Sequence, residues 1–170
     1  MPLSVNWKYL SADQQSLIKD GLYLLEEIEI RGLDTISDYS FLVAPFAKAY
    51  EGFLKDFFLK LNLITKSDYN SDHFRVGKVL NPNLSHRRFS VYLRLENLKQ
   101  NNNNLASQLW EAWRQGRNQI FHYFPFNLNK LTFFGARETI EMILEAINQA
   151  GQVIDKTKPI NDNRGDENIY

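Results

Sequence analysis

The stretch Trp110-Glu-Ala-Trp-Arg114-Gln-Gly-Arg117-Asn118-Gln-Ile-Phe-His122-Tyr123 gathers side chains suited to one kind of chemistry. A histidine titrating near neutral pH can take the proton from a ribose 2′-hydroxyl or give one to a leaving 5′-oxygen. An arginine, always charged and shaped as a fork, can hold a phosphate and stabilise negative charge as it develops. An asparagine one helical turn before the histidine can fix the orientation and tautomer of the ring. Arg117, Asn118 and His122 therefore form an R-N-x-x-x-H arrangement fit for cleaving RNA without a metal; the plainer alternative is a helix-end histidine with surface arginines.

The spacing then constrains the element that carries them. Arg114, Asn118 and His122 recur every four residues and share one face of a helix that ends before Pro125. Arg117 and His122 are five apart, about 140° around an ideal helix, so they do not share a face. Their convergence requires the reach of the arginine side chain, a helix end that frays near Pro125, or a second copy of the chain. One histidine does not conveniently serve as both acid and base, and a two-fold dimer would supply two. Gly116 inside this helix costs about 1 kcal/mol relative to alanine unless something approaches closely there.

The remaining elements read as helices. Ser11 and Gln14 form a capping box, Gly32 a stop, and Leu17, Leu22, Leu24, Leu25 and Ile28 a stripe between them. From Asp38 to Leu63, the residues Phe46, Tyr50, Phe53, Leu54, Phe57, Phe58 and Leu61 mark a strongly buried helix, with Pro45 starting it or kinking its first turn. From His73 to Gln100 the pattern is broken by Gly77, Asn81, Pro82 and Asn83, leaving only short helical turns. The asparagines 101–104 are a loop or cap. A final helix runs from Thr132 or Ala136 to Ile154, and the polar segment 156–170 reads as a disordered tail. The predicted fold is all-α: one domain over residues 1–155, a bundle of four or five helices with an irregular basic segment between the second and third long ones.

Composition narrows the classes. With 44% hydrophobic and 14% aromatic residues in 170, the chain can bury a real core and is too apolar for disorder. The absence of cysteine excludes disulfides, thiolate zinc sites and cysteine nucleophiles. The longest apolar run, Phe41–Ala47, is too short to span a bilayer, and the N-terminus carries no signal-peptide pattern. The expectation is a soluble, cytoplasmic protein. No cofactor is implied.

A formal net charge of zero conceals an uneven distribution. Residues 1–72 carry 7 basic and 11 acidic side chains, residues 73–137 carry 10 and 2, and residues 138–170 carry 3 and 7. The basic middle would attract an anionic partner if its residues share a surface; alternatively, acidic helices pack beside it and neutralise it. Arg114, Arg87, Arg88 and Lys78 are the candidate RNA-binding residues, since Arg87, Arg88 and Arg94 interleave with Phe89, Tyr92 and Leu93. A solvated amphipathic segment would look the same. Trp110 and Trp113 read as core or dimer-face residues rather than base-stacking platforms. His73 and His86 lack any ligand at metal-binding spacing and read as surface residues, so no metal site is expected.

Arg117-Asn118-x-x-x-His122 resembles the signature of HEPN ribonucleases, a helical superfamily of toxin–antitoxin and anti-phage systems. The segments Ala49-Tyr50-Glu51-Gly52-Phe53-Leu54-Lys55-Asp56-Phe57-Phe58 and Phe74-Arg75-Val76-Gly77-Lys78-Val79 resemble the catalytic domain of RNase LS (RnlA-type) toxins, and the likeness spans roughly residues 41–154. The resemblance implies Arg117 and His122 as the catalytic pair, Glu51 as an assisting carboxylate, a homodimer as the active form, and a cognate antitoxin as partner. Independently, Glu51 lies in the most apolar helix of the chain, where a partly buried carboxylate needs a cationic partner such as Arg117 or protonated His122; the alternative is an ordinary exposed glutamate. Some HEPN toxins carry a modifiable tyrosine two positions after the histidine. Here Phe124 stands there and Tyr123 follows the histidine directly, so that modification is not carried over. The extra N-terminal domains of RNase LS toxins have no counterpart in this sequence. The expected function is a metal-independent endoribonuclease; the alternatives are a non-catalytic HEPN adaptor and a plain helical interaction domain that binds no RNA.

Overall fold

The computed structural model describes residues 3–32, 36–98 and 104–156, and these are all helix, turn and loop, with no strand among them. The segment 157–170, read above as a tail, lies outside the described residues. Four long helices carry the architecture: α1 (Ala12–Arg31), α2 (Ser40–Lys60), α6 (Leu105–Trp113) and α7 (Phe133–Lys156). Three short ones, α3 (Lys66–Asn70), α4 (Val76–Val79) and α5 (Val91–Glu96), fill the basic segment between α2 and α6. Among the described residues the all-α expectation and short helical turns over residues 73–98 are both found, while residues 99–103 lie outside the described residues.

Helix α2 is the central element because its sequence is apolar over most of its circumference. Phe46, Tyr50, Phe53, Leu54, Phe57 and Phe58 are all essentially inaccessible to water. Helix α1 packs along one side of it, where Gly21 lies so close to the Phe46 ring that a Cβ would fall 2.3 Å from it. Helix α7 packs along another with Ile140, Ile143, Leu144 and Ile147 buried. The hydroxyl of buried Tyr50 donates to the Leu109 carbonyl at 2.9 Å, tying α2 to α6. Burial pushes this phenol well above its ordinary pKa, so it remains a donor.

The ends of α1 are as the sequence dictates: Ser11 and Gln14 form a reciprocal capping box, and Gly32 closes the helix at φ +57°, a conformation that glycine adopts without strain. The core-facing stripe of α1 differs from the expected one. It runs through Gln14, Ile18, Gly21 and Leu25, while Leu24 is exposed. Gly21 gives a close approach to α2, Leu25 is buried, and Leu17, Leu22 and Ile28 of the expected stripe pack partly buried at the edge of the core. Pro45 is accommodated inside α2 rather than at its start.

Helix α6 also differs. It gives way after Trp113 to a π-helical turn, Arg114–Asn118, whose Gln119 N–H donates to the Arg114 carbonyl at 2.9 Å, five residues back. Gly116 is buried in this turn against Ile143 of α7, where a Cβ would lie 2.7 Å from Cδ1. The close approach anticipated at Gly116 is therefore made by α7. Helical hydrogen bonding ends with Phe121 N–H to the Arg117 carbonyl at 3.4 Å, before Pro125 as expected.

The connection from there to α7 is held by Asp38, just before α2. Its carboxylate accepts from the Ser40 hydroxyl at 2.6 Å, the Ser40 amide at 2.9 Å, Asn127 Nδ2 at 3.0 Å and the Leu131 amide at 3.1 Å. Burial pushes the carboxyl upward, but these hydrogen bonds outweigh it and hold its pKa at about 2.

Candidate active site

Glu51 and Arg117, sixty-six positions apart in sequence, meet across α2 and the π-helical turn: Arg117 Nε lies 3.8 Å from Glu51 Oε2. Each step of that meeting has a local cause. Tyr50 anchors α2 to α6 from the buried side, which turns its neighbour Glu51 to the rim facing the end of α6. Trp113 is buried one turn before Arg117, and the guanidinium lies over its ring at 5.6 Å from the centroid. An i,i+4 cation–π contact of this kind holds a long side chain in one direction without neutralising it. Both charged groups remain partly in water, with about 40% of the arginine and 37% of the glutamate side chain exposed.

Ala44, Ala47, Lys48 and Glu51 of α2, with Arg117 and Phe121, line an open hollow of about 240 Å³. The alanines, seven and four positions before Glu51, are small residues on the glutamate's own face of the helix, and they leave the hollow accessible. Lys48 adds a second cation one turn before Glu51. The site thus presents two positive groups and one negative group around a solvent-facing depression, an arrangement able to grip a phosphate.

The other residues singled out by sequence divide. Asn118 is exposed at the end of the π-helical turn. His122 is exposed one residue past Phe121 and does not line the hollow. The shared helical face expected for Arg114, Asn118 and His122 does not form, because the wide turn at Gly116 changes the angular step and the helix has ended before His122. Arg114 is committed elsewhere, since its Nε donates to Glu111 Oε2 at 2.9 Å. That hydrogen bond, with a second from Gln115, holds the Glu111 carboxyl below its usual range. Arg87 and Arg88 are exposed on the loop before α5.

Lys78 belongs to a second, larger hollow of about 420 Å³, lined in part by His73, Phe74, Arg75, Phe89 and Arg94. Its ammonium lies over the Phe89 ring, 5.0 Å from the centroid. Both readings of the basic middle are thus realised in part. Arg114 is paired with Glu111, and Arg137 with Glu29 and Glu141, whereas Arg75, Lys78 and Arg94 collect in one place. Sequence reasoning missed Lys48, whose i,i+3 spacing to Glu51 was available, and it set His73 aside. The grouping of residue 75 with residue 94 had no sequence signal. Among the described residues no cluster of three or more His, Asp or Glu side chains could hold a metal ion, and no helix is long and apolar enough to cross a membrane.

Compared with protein-family models, with curated proteins and with solved structures, the chain matches none.

Proposed function

We infer that this chain is a metal-independent endoribonuclease of the HEPN type, acting in the cytoplasm as the toxin of a toxin–antitoxin or phage-defence system. The observation that carries the reading is the approach of Arg117 to Glu51 beside an open hollow. A guanidinium held by a carboxylate on one side and an indole face on another is pre-oriented, and little reorganisation is needed when a phosphate arrives. In the reaction, the ribose 2′-oxygen loses its proton to a base and bonds to the adjacent phosphorus. The bond from phosphorus to the 5′-oxygen breaks, and an acid protonates that oxygen, leaving a 2′,3′-cyclic phosphate and a 5′-hydroxyl. His122 serves as acid or base, Arg117 holds the phosphate, Asn118 positions, and Glu51 orients Arg117.

His122 lies outside the hollow of its own chain, and a homodimer is the arrangement that answers this. Support comes from the surface around it. Phe121, Tyr123, Phe124, Phe126, Leu128 and Phe134 are all exposed, Phe126 to 90% and Tyr123 to 80%. An apolar patch of this density is a surface built to be covered. A second copy meeting this segment about a two-fold axis would bring each His122 toward the other and exclude water from the reacting phosphate. A cognate antitoxin is the other partner this reading implies.

The exposed position of His122 also favours a second reading, a non-catalytic HEPN domain that binds RNA or protein as an adaptor. Digestion of mixed RNA in EDTA separates the two. Cleavage with 2′,3′-cyclic termini that persists under chelation and falls at least about 100-fold in His122→Ala is the expected result. Binding without cleavage in the wild type supports the adaptor, and cleavage lost on chelation eliminates the proposed mechanism.

A further inference from the structure

We propose that the hollow between α3, α4 and α5 is a groove for single-stranded RNA, holding phosphates and an unstacked base of the strand whose scissile bond lies at Arg117. The proposal rests on the ribonuclease reading for its substrate and adds where, and in what form, that substrate is held.

Charge is the first argument. Arg75, Lys78 and Arg94 line the hollow together with His73, against the single carboxylate of Asp68. That carboxylate is already occupied at Oδ2, which accepts from the Thr65 amide at 2.9 Å and the Thr65 hydroxyl at 2.8 Å. The two arginines are anchored in an unusual way for surface guanidinium groups. Arg75 donates to the Asp72 and Phe74 carbonyls, and Arg94 to the Ser90 and Phe89 carbonyls at 3.1 and 3.4 Å. Neutral carbonyls fix the direction of the fork without neutralising it, and although Arg94 also feels the Asp68 carboxylate, three cations face that one acid, so the hollow keeps the net positive charge that receives an anion.

Shape and ring chemistry identify the anion. Phe89 is 39% exposed at the edge of the hollow, and Phe74 lines it with the Lys55 ammonium 5.8 Å from its ring centroid. Flat aromatic faces beside cations recognise nucleotides, whose bases stack while their phosphates pair. In a duplex the base faces are already stacked and unavailable, so a site of this type selects single strands.

Connectivity joins the groove to the cleavage site. Lys48, Glu51 and Lys55 lie at i, i+3 and i+7 on one face of α2, so Lys55 is about one turn beyond Glu51 in the direction of Phe74. On the other flank, Gly77 of α4 abuts Trp113, whose ring carries Arg117. One strand can therefore run from Arg117 past Lys55 to Lys78.

The test is fluorescence anisotropy of a labelled, 2′-O-methylated 12-nucleotide RNA, which cannot be cut because its 2′-oxygen carries no proton. It is run with the full chain between 50 and 200 mM salt, as single strand and as duplex. The wild type is expected to prefer the single strand. Arg75→Glu with Lys78→Glu should weaken binding at least about tenfold and reduce the slope of log K against log salt by roughly 1.4, two phosphate contacts at about 0.7 each. Phe89→Ala should weaken binding roughly fivefold or more with the slope unchanged. Circular dichroism checks folding, and Arg75→Gln with Lys78→Gln replaces the charge reversal if that variant does not fold. Equal binding by the wild type and these variants, a preference for duplex, or retention of a poly-glutamate peptide but not RNA would overturn the proposal. Because the probe is uncleavable, groove-dependent binding alongside absent cleavage of ordinary RNA defeats the catalytic reading and leaves the groove. Cleavage with groove-independent binding does the reverse.

Discussion

The two hollows differ in how their cations are held, and the difference separates orientation from attraction. At the smaller one, Arg117 is set between a carboxylate and an indole, so its direction is fixed and its field is partly offset by Glu51. At the larger one, Arg75 and Arg94 are fixed by backbone carbonyls, and with Lys78 they outnumber the one carboxylate present, Asp68, so the hollow stays net positive. A group that must stabilise charge developing on one atom benefits from the first arrangement, whereas a surface that must collect a polyanion benefits from the second. The same sequence segment supplies both kinds of residue.

The largest effect that would sharpen this contrast is at Arg117. Arg117→Ala is expected to lower single-turnover RNA cleavage by 100-fold or more, about 2.7 kcal/mol, while affinity for the uncleavable single strand changes only two- to threefold. Equal losses in rate and affinity would erase the distinction. Next is Gly77→Ala, at the packing of α4 against the ring that carries Arg117. Its Cβ would fall 2.5 Å from the Trp113 indole nitrogen, and a rigid buried ring gives way only at a cost of about 1–3 kcal/mol in unfolding free energy. Cleavage should fall with stability, since Trp113 carries Arg117.

The smallest of the three effects concerns Asp38, which clamps the loop leading from the smaller hollow into α7. The folded carboxyl, held at about 2, lies below its ordinary value of 3.8. Its stabilisation is therefore complete above about pH 4 and disappears as pH falls through about 2. Asp38→Asn should cost about 1–2 kcal/mol at neutral pH, after discounting for partial exposure, and denaturant titrations should show the gap from wild type closing between pH 4 and pH 2. A gap independent of pH would assign the effect to the lost hydrogen bonds alone.

What could be read from the chain beforehand follows the range of the interactions involved. The cap of α1 at Ser11, its stop at Gly32 and the buried faces of α2 and α7 depend on neighbours within a few residues, and each was legible. The end of α6 was not. Pro45 lies inside α2 rather than at its start, and although the helix ends before Pro125 as expected, it does so through a π-helical turn that proline position does not signal. The wide turn at Gly116 packs against Ile143 of α7, a partner that periodicity within α6 does not reveal. Of the residues expected to act together, Glu51 and Arg117 do meet, because Tyr50 and Trp113 on either side of them are buried in the same core. Asn118 and His122 do not share a helical face, because the helix needed for that spacing is not formed there.

Residue order by itself determined a helical protein with one strongly apolar central helix, a basic middle and a set of side chains suited to phosphate chemistry. Those properties are sums or short-range patterns, fixed once the order of residues is fixed. Tertiary structure alone decided which charges were spent and which kept: Arg114 and Arg137 went to carboxylates, Arg117 to a shared position with Glu51, and Arg75, Lys78 and Arg94 to an open groove. The reason is physical. A charge acts over a few ångströms, and which groups come that close depends on how whole helices pack, not on how far apart they lie along the chain.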